Sequence, residues 1–343
     1  MRLSQIGEFR LIDRIGKKIR INPQRVKVGI GDDAAVIKTS KDKLLIVTTD
    51  TLIENIHFNL KHITFFKLGF KALSVNISDV AAMGGYPTET LITLGLPNNF
   101  TVKAVDEIYR GIENLAKRYK IDIIGGDTTS SPKEIVISIT LLGEVLEEEL
   151  VLRSGARVGD LILVTGDLGA SAAGLELLRK SKVESRKTST SSVESLKVVI
   201  KKHLMPEPRV EEARVIAESK LATSMIDNSD GLSRSLIEIT RLSRVGARIW
   251  LEALPIRKET KLAARTLRKS ELELALDGGE DYELIFTTPK NQAVKLSEMI
   301  QKKTKTKATV IGEIIPPKQG IKVLESKGYE KNLKYRGYEH FKS

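Results

Sequence analysis

Lys71-Ala72-Leu73-Ser74-Val75-Asn76-Ile77-Ser78-Asp79-Val80-Ala81-Ala82-Met83-Gly84 is the stretch on which the reading of this chain turns. Its apolar residues recur at three- and four-residue spacing and predict a helix from Phe65 to Met83, closed by Gly84-Gly85. Asp79 sits near the end of that helix, where the macrodipole disfavours a carboxylate by about 0.3–1 kcal/mol. A bound cation reverses that sign. Asn76, three residues earlier, shares the face of Asp79, so the two polar groups point together.

Strand candidates flank this helix at Lys43 to Thr49 and Thr88 to Leu96, and the alternation continues along the chain. Further strands are expected at Ile121 to Ile124, Ile135 to Val145, Leu161 to Thr165, Ala222 to Ile226, Ala247 to Leu251, Leu284 to Thr287 and Ala308 to Ile314. Helices are expected at Glu8 to Lys17, Val102 to Tyr119, Ala170 to Leu178, Val193 to His203, Pro208 to Glu218, Leu232 to Arg244, Lys261 to Arg268 and Ala293 to Lys303. The fold class is α/β with mixed α+β character. A length of 343 residues suggests two domains. The acidic turn Glu147-Glu148-Glu149, followed by Arg153-Ser154-Gly155-Ala156-Arg157, divides them into 1–148 and 149–343. Ser181 to Ser192 is Ser-, Thr- and Lys-rich and is expected to be a mobile surface loop. The aromatic tail from Gly320 is expected to pack back onto a domain.

The other aspartates fall in a pattern. Asp50 follows Ile46-Val47-Thr48-Thr49, Asp127 follows Ile121 to Ile124 through Gly125-Gly126, and Asp227 with Asp230 follow Ala222 to Ile226. Carboxylates just past strand ends lie where open α/β sheets hold ligands, although each alone also suits a cap or turn. Gly29-Ile30-Gly31-Asp32-Asp33-Ala34 imitates a dinucleotide loop, but two carboxylates there would repel a pyrophosphate. Gly125-Gly126 would let backbone approach a nucleotide closely. Gly166-Asp167-Leu168-Gly169-Ala170 offers either a helix N-terminus to phosphate or close helix–sheet packing.

Zero cysteines exclude disulfides, zinc–thiolate sites, iron–sulfur clusters and cysteine nucleophiles. No P-loop, HExxH or GxSxG motif occurs. Hard oxygen ligands without thiols point to Mg²⁺ and to phosphoryl transfer. The net charge of +12 is spread along the chain, as on a solvated surface; a basic nucleic-acid-binding protein is the alternative of a different class. No apolar run is long enough for a membrane helix and no secretory signal opens the chain, so a cytoplasmic protein is expected.

The motifs Gly7-Glu8-Phe9, Gly29 to Ala34, Thr48-Thr49-Asp50-Thr51-Leu52, Lys71 to Gly84, Gly125-Gly126-Asp127-Thr128-Thr129, Arg153-Ser154-Gly155-Ala156, Asp227-Asn228-Ser229-Asp230-Gly231-Leu232 and Gly278-Gly279-Glu280-Asp281-Tyr282-Glu283 run in order over nearly the whole sequence. In that order they resemble the thiamine-monophosphate kinase family. The resemblance implies the two-domain fold shared with aminoimidazole ribonucleotide synthetase, with an N-terminal domain dimerising through its sheet and a C-terminal α/β domain closing over ATP. It implies direct transfer of the γ-phosphoryl of ATP to thiamine monophosphate with Mg²⁺, in a homodimer that binds no nucleic acid. By position, Asp33, Thr48, Thr49, Asp50, Asp79, Asp127, Asp227 and Asp230 resemble metal ligands. Tyr109, Gly126, Asp127, Arg153 and Ser229 resemble nucleotide contacts, and His57, Glu280 and Tyr338 resemble substrate contacts. Sibling enzymes that need a reactive cysteine are excluded by composition; an aminoimidazole ribonucleotide synthetase-like activity is the nearer alternative.

Overall fold

The computed structural model describes residues 2–39, 42–180, 190–325, 328–335, 337 and 339–341. The N-terminal half runs α1 (Leu3–Gly16), β1 (Val26–Val28), β2 (Ala35–Lys38), β3 (Lys43–Ile53), α2 (Phe65–Ala82), β4 (Tyr86–Leu96), α3 (Val102–Tyr119), β5 (Asp122–Ser130) and β6 (Val136–Leu146). The C-terminal half runs β7 (Asp160–Thr165), α4 (Ala170–Arg179), α5 (Thr190–Leu204), α6 (Val210–Ser219), β8 (Ser224–Asp227), α7 (Leu232–Ser243), β9 (Gly246–Trp250), α8 (Lys258–Leu267), α9 (Glu271–Asp277), β10 (Leu284–Pro289), α10 (Ala293–Thr304), β11 (Ala308–Ile315), β12 (Ile321–Leu324) and β13 (Glu330–Asn332).

Six strands in the order β1-β2-β3-β6-β4-β5 form one sheet, and seven in the order β13-β12-β9-β11-β7-β10-β8 form the other. The β4–β5 and β9–β12 pairs are parallel and the remaining pairs antiparallel. The expectation that the aspartates follow strand ends is therefore corrected for two of them. β3 pairs with β6 as far as Ile53, and β5 with β4 as far as Ser130, which places Asp50 and Asp127 inside ladders. Polar Thr and Asp read as turn residues in sequence, but a long ladder partner, antiparallel β6 for Asp50 and parallel β4 for Asp127, carries the strand through them.

Helix α2 is buried nearly all round, in keeping with a sequence that is apolar over most of its surface. It starts at Thr64, whose hydroxyl accepts from the Lys67 N–H, and ends at Gly84, which takes φ +76°. One flank meets α3 at two glycines: a Cβ at Gly69 would lie 1.9 Å from the Ile108 carbonyl oxygen, and one at Gly111 1.9 Å from that of Phe66. Other flanks touch β3 and β6 of the first sheet, and β8 and α6 of the second half. A single core accordingly joins both halves, uniting Ile46, Leu73 and Ile139 with Leu163, Met225 and Phe286.

Short α9 and strands β1, β2, β12 and β13 were not expected from sequence. Of the expected loop Ser181 to Ser192, residues 181–189 lie outside the described residues, and Thr190–Ser192 open α5. The tail does return: β12 joins β9, and the His340 ring lies 5.2 Å from that of His57. Among the described residues no helix is long and apolar enough to cross a membrane.

Candidate functional site

Side chains alternate along a strand, so Thr48 and Asp50 face α2 while Thr49 and Thr51 face away. The Thr48 hydroxyl donates to Asp79 Oδ2 at 2.6 Å, and the Asp50 N–H donates to Asn76 Oδ1 at 3.1 Å. One turn along α2 from Ser74, Ser78 donates to Asp227 Oδ2 at 2.6 Å, which ties the helix to the end of β8. Asp33 closes the group. One carboxylate oxygen from each of Asp33, Asp79 and Asp227 lies within 4.8 Å of the others. Arg153 Nη2 donates to Asp33 Oδ1 at 2.6 Å, and the Arg153 N–H meets both Asp32 oxygens at 3.3 Å. Asp33 Oδ2 is buried without a hydrogen-bond partner.

Burial acts first on Asp32, Asp50, Asp79, Asp227 and Asp230 and favours their neutral form. It pushes Asp50 up to about 6. Burial, then repulsion from Asp33, pushes Asp227 up to about 8 and Asp32 to about 7. Asp79 is raised well above the usual range by burial, then by Asp50, Asp227 and Asp33. Asp230 rises to about 6 through burial and Glu8. An all-oxygen donor set that bears more like charge than it can hold alone, and leaves one buried oxygen unpartnered, fits Mg²⁺.

This has a measurable pH dependence. A carboxylate with a raised folded pKa binds more protons folded than unfolded, so its penalty grows as pH rises from the unfolded value, about 3.9, through the folded one. Burial lowers His57 and His203, which act in the opposite direction below about pH 6.5. The carboxylates outnumber them. In EDTA the melting temperature is expected to rise as pH falls from 8 to about 5.5, and saturating Mg²⁺ is expected to flatten the trend, leaving the share of Asp32 and Asp281, which burial first raises to about 7. A metal-free melting temperature that falls over this interval would contradict the cluster.

A cleft of about 1060 Å³ opens on this group. Of the residues singled out in sequence, Asp33, Thr48, Thr49, Asp50, His57, Asp79, Arg153, Ser229, Asp230 and Glu280 line it, with Asp227 buried beneath. The Thr49 hydroxyl lies on the other sheet face, accepting from Thr140 at 3.2 Å. Asp127 stands on that outer face too, in a cross-strand row Thr51, Ser138, Thr93, Asp127. Gly126 and Asp127 on edge strand β5, and Tyr109 on α3, do not line this chain's cleft. A Cβ at Gly126 would meet the Ile92 carbonyl at 1.8 Å, so close packing of β5 on β4 already requires this glycine. Tyr338 lies outside the described residues.

The N-terminus of α4 is already occupied. Asp281 accepts from the Gly169 N–H at 2.6 Å and the Ser171 N–H at 2.9 Å, so the packing reading of Gly166 to Ala170 holds and the phosphate reading does not. Sequence reasoning missed Lys71, His203 and Tyr282, which also line the cleft. For Lys71 a signal existed: it is the only charged residue in the run Leu68 to Ser78.

Residues 31–145 match the AIR synthase related protein N-terminal domain, and 157–324 the corresponding C-terminal domain. Thiamine-monophosphate kinase of Bacillus subtilis is 38% identical, over 98% of this chain and 100% of its own length. That of Escherichia coli K12 is 36% identical over 98% of both. The solved structure of AaThiL complexed with AMPPCP and TMP superposes with a TM-score of 0.83 at 36% identity, covering 99% of both chains. Thiamine monophosphate kinase from Aquifex aeolicus gives 0.79 at 35% identity, covering 97% of this chain and 100% of that one. With that identity sustained from end to end and both domain models matched in order, the chain belongs to the thiamine-monophosphate kinase family.

Proposed function

We propose that this protein transfers the γ-phosphoryl group of ATP to thiamine monophosphate, giving thiamine diphosphate and ADP, the last step in making that cofactor. The observation that carries the reading is the meeting of Asp33, Asp79 and Asp227, drawn from both halves of the chain, at a cleft that also holds Arg153 and Glu280. Asp33, Asp79 and Asp227, with Thr48, Asp50 and Asp230 around them, would hold Mg²⁺, which when bound neutralises charge on the transferring group. Arg153 and Ser229 would orient the nucleotide, and His57 and Glu280 the acceptor; Tyr338 is kept as a third acceptor contact. No side chain is assigned as a covalent nucleophile, so transfer is direct and in line.

Tyr109, Gly126, Asp127 and the outward Thr49 belong to the same reading through a homodimer. The outer face of the first sheet leaves Leu91 exposed and Leu45, Val47 and Leu142 half-buried, an apolar area suited to a second copy. Packed there, one copy's β5 would serve the other's cleft. We divide the chain at 148/149, supported by the first sheet ending at Leu146 and the second starting at Asp160, and we keep the enzyme cytoplasmic.

The test is incubation with ATP, Mg²⁺ and thiamine monophosphate, with nucleotides and thiamine phosphates separated chromatographically. Equal amounts of thiamine diphosphate and ADP are expected, with thiamine a poor acceptor and no product in EDTA. Orthophosphate with ADP, and no thiamine diphosphate, would overturn the reading.

A further inference from the structure

Apart from the aspartate cluster, the cleft wall contains a buried cation of unusual placement. Lys71 on α2 is 1% exposed, and lysine is almost never so deeply buried unless paired. Its Nζ lies 2.9 Å from Glu280 Oε1 and 3.0 Å from Oε2. His203 on α5 approaches the same carboxylate from another side, with Nδ1 3.1 Å from Oε2, and the Ser171 hydroxyl sits 3.0 Å from that nitrogen. The backbone of Glu280 is fixed as well: its N–H donates to the Ser229 carbonyl at 2.6 Å, and it takes φ +65°, a left-handed conformation that a non-glycine residue adopts at a cost.

A carboxylate needed merely to neutralise Lys71 would be best placed fully inside. The Glu280 side chain instead keeps 27% of its surface exposed, and it borders the cleft. Lys71 and His203 thus occupy the inner side of the carboxylate and leave its remaining lone pairs toward the cleft. In the same cleft, Asp50 and Asp227 of the aspartate cluster are driven toward their neutral forms by burial. Burial acts on Glu280 in the same sense, but Lys71 and then His203 hold it well below the usual carboxylate range. Burial and then Lys71 lower the pKa of His203, which contacts the Glu280 carboxylate from α5 and not from Lys71's own helix.

We propose that Lys71 and His203 are positioning residues for the acceptor: they fix the Glu280 carboxylate in one orientation as a hydrogen-bond acceptor for a cationic, amino-bearing substrate. The proposal rests on the reading of Glu280 as an acceptor contact. Neither residue touches the reacting phosphates in this account; both act through Glu280.

A double-mutant cycle on the full-length enzyme with Mg²⁺ tests it, with KM and kcat measured for thiamine monophosphate and for ATP. Glu280→Gln is expected to raise KM for thiamine monophosphate by about 10- to 100-fold, the loss of a charge-assisted hydrogen bond. KM for ATP should stay within about twofold of wild type. Lys71→Met should reproduce that split, and Lys71→Met/Glu280→Gln should be no worse than Glu280→Gln alone, because residues acting through one another are not additive. The double variant also removes both charges of a buried pair, a change that folds tolerate well. His203→Leu in the two backgrounds runs the same cycle should Lys71→Met fail to fold. If Glu280→Gln raises KM for thiamine monophosphate while Lys71→Met and His203→Leu do not, or if their effects persist undiminished beside Glu280→Gln, the positioning role is wrong. An unchanged KM for thiamine monophosphate in Glu280→Gln would instead remove the acceptor-contact reading beneath it.

Discussion

Replacing Asp79 by Asn is expected to lower kcat by at least about 100-fold, the scale on which phosphoryl transfer responds to lost charge neutralisation. The same substitution should leave the metal-free protein as stable as wild type or more so. Asn keeps the shape of the side chain and can still accept from the Thr48 hydroxyl, which bonds Asp79 at 2.6 Å. It takes one charge out of a buried site where Asp50, Asp227 and Asp33 repel it. With Mg²⁺ and a non-hydrolysable ATP analogue the order should invert, because wild type gains ligand-binding free energy that the variant largely forgoes. Melting temperatures of both proteins in EDTA and with ligands decide it. Equal destabilisation in both conditions with an intact rate would make Asp79 a structural residue.

The largest loss of stability is expected at Glu283. Its carboxylate is 1% exposed and receives Arg209 Nε and Nη2 at 2.6 Å each, the Thr165 hydroxyl at 2.8 Å and Lys202 Nζ at 3.4 Å. Glu283→Ala would take the shortest carboxylate contacts from two largely buried cations, a change that costs about 3–5 kcal/mol. Glu283→Gln, which keeps the shape and one acceptor oxygen, should cost less. Burial would raise the pKa of this carboxylate, but Arg209 and Lys202 hold it below the usual range. The stabilisation it provides is therefore present above the unfolded value, about 4.3, and is lost as pH falls through the folded one. Chemical denaturation at pH 7 and again near pH 4 should show the gap between wild type and Glu283→Ala narrowing on acidification. A loss below about 1 kcal/mol at pH 7 would mean that the ion pairs Lys202 and Arg209 already make with Asp167 and Glu212 suffice to hold them.

Where local rules govern, the sequence was legible. Helix α3 was expected from Val102 to Tyr119 and is found there, capped by the Thr101 hydroxyl on the Ala104 N–H and ended by left-handed Lys120. Helix α9 was missed although Ser270 and Glu273 carry a helix-start signature, and the Ser270 hydroxyl does accept from the Glu273 N–H. Seven residues offer too little periodicity for a pattern to show. The ends of β3 and β5 were misread because ladder partners, not composition, decide where a strand stops. Asp33, Asp79 and Asp227 were each visible as candidates, and the resemblance set them in one site. Lys71 and Glu280, 209 positions apart, could not be paired from sequence, because nothing local in either segment refers to the other.

The segment Glu280 to Glu283 gives each of its residues a different outlook. Glu280 faces the cleft, Asp281 caps α4, Tyr282 lines the cleft in a left-handed conformation, and Glu283 anchors Arg209. Four tasks on four consecutive residues leave no spare position: an insertion or deletion here would hand each task to the wrong side chain. Evolution of a new acceptor preference therefore has little room in this stretch. It has more in the cleft-lining loop after β3, where Ile56 is exposed and the Asn55 and Asn59 side chains bond each other at 2.9 Å.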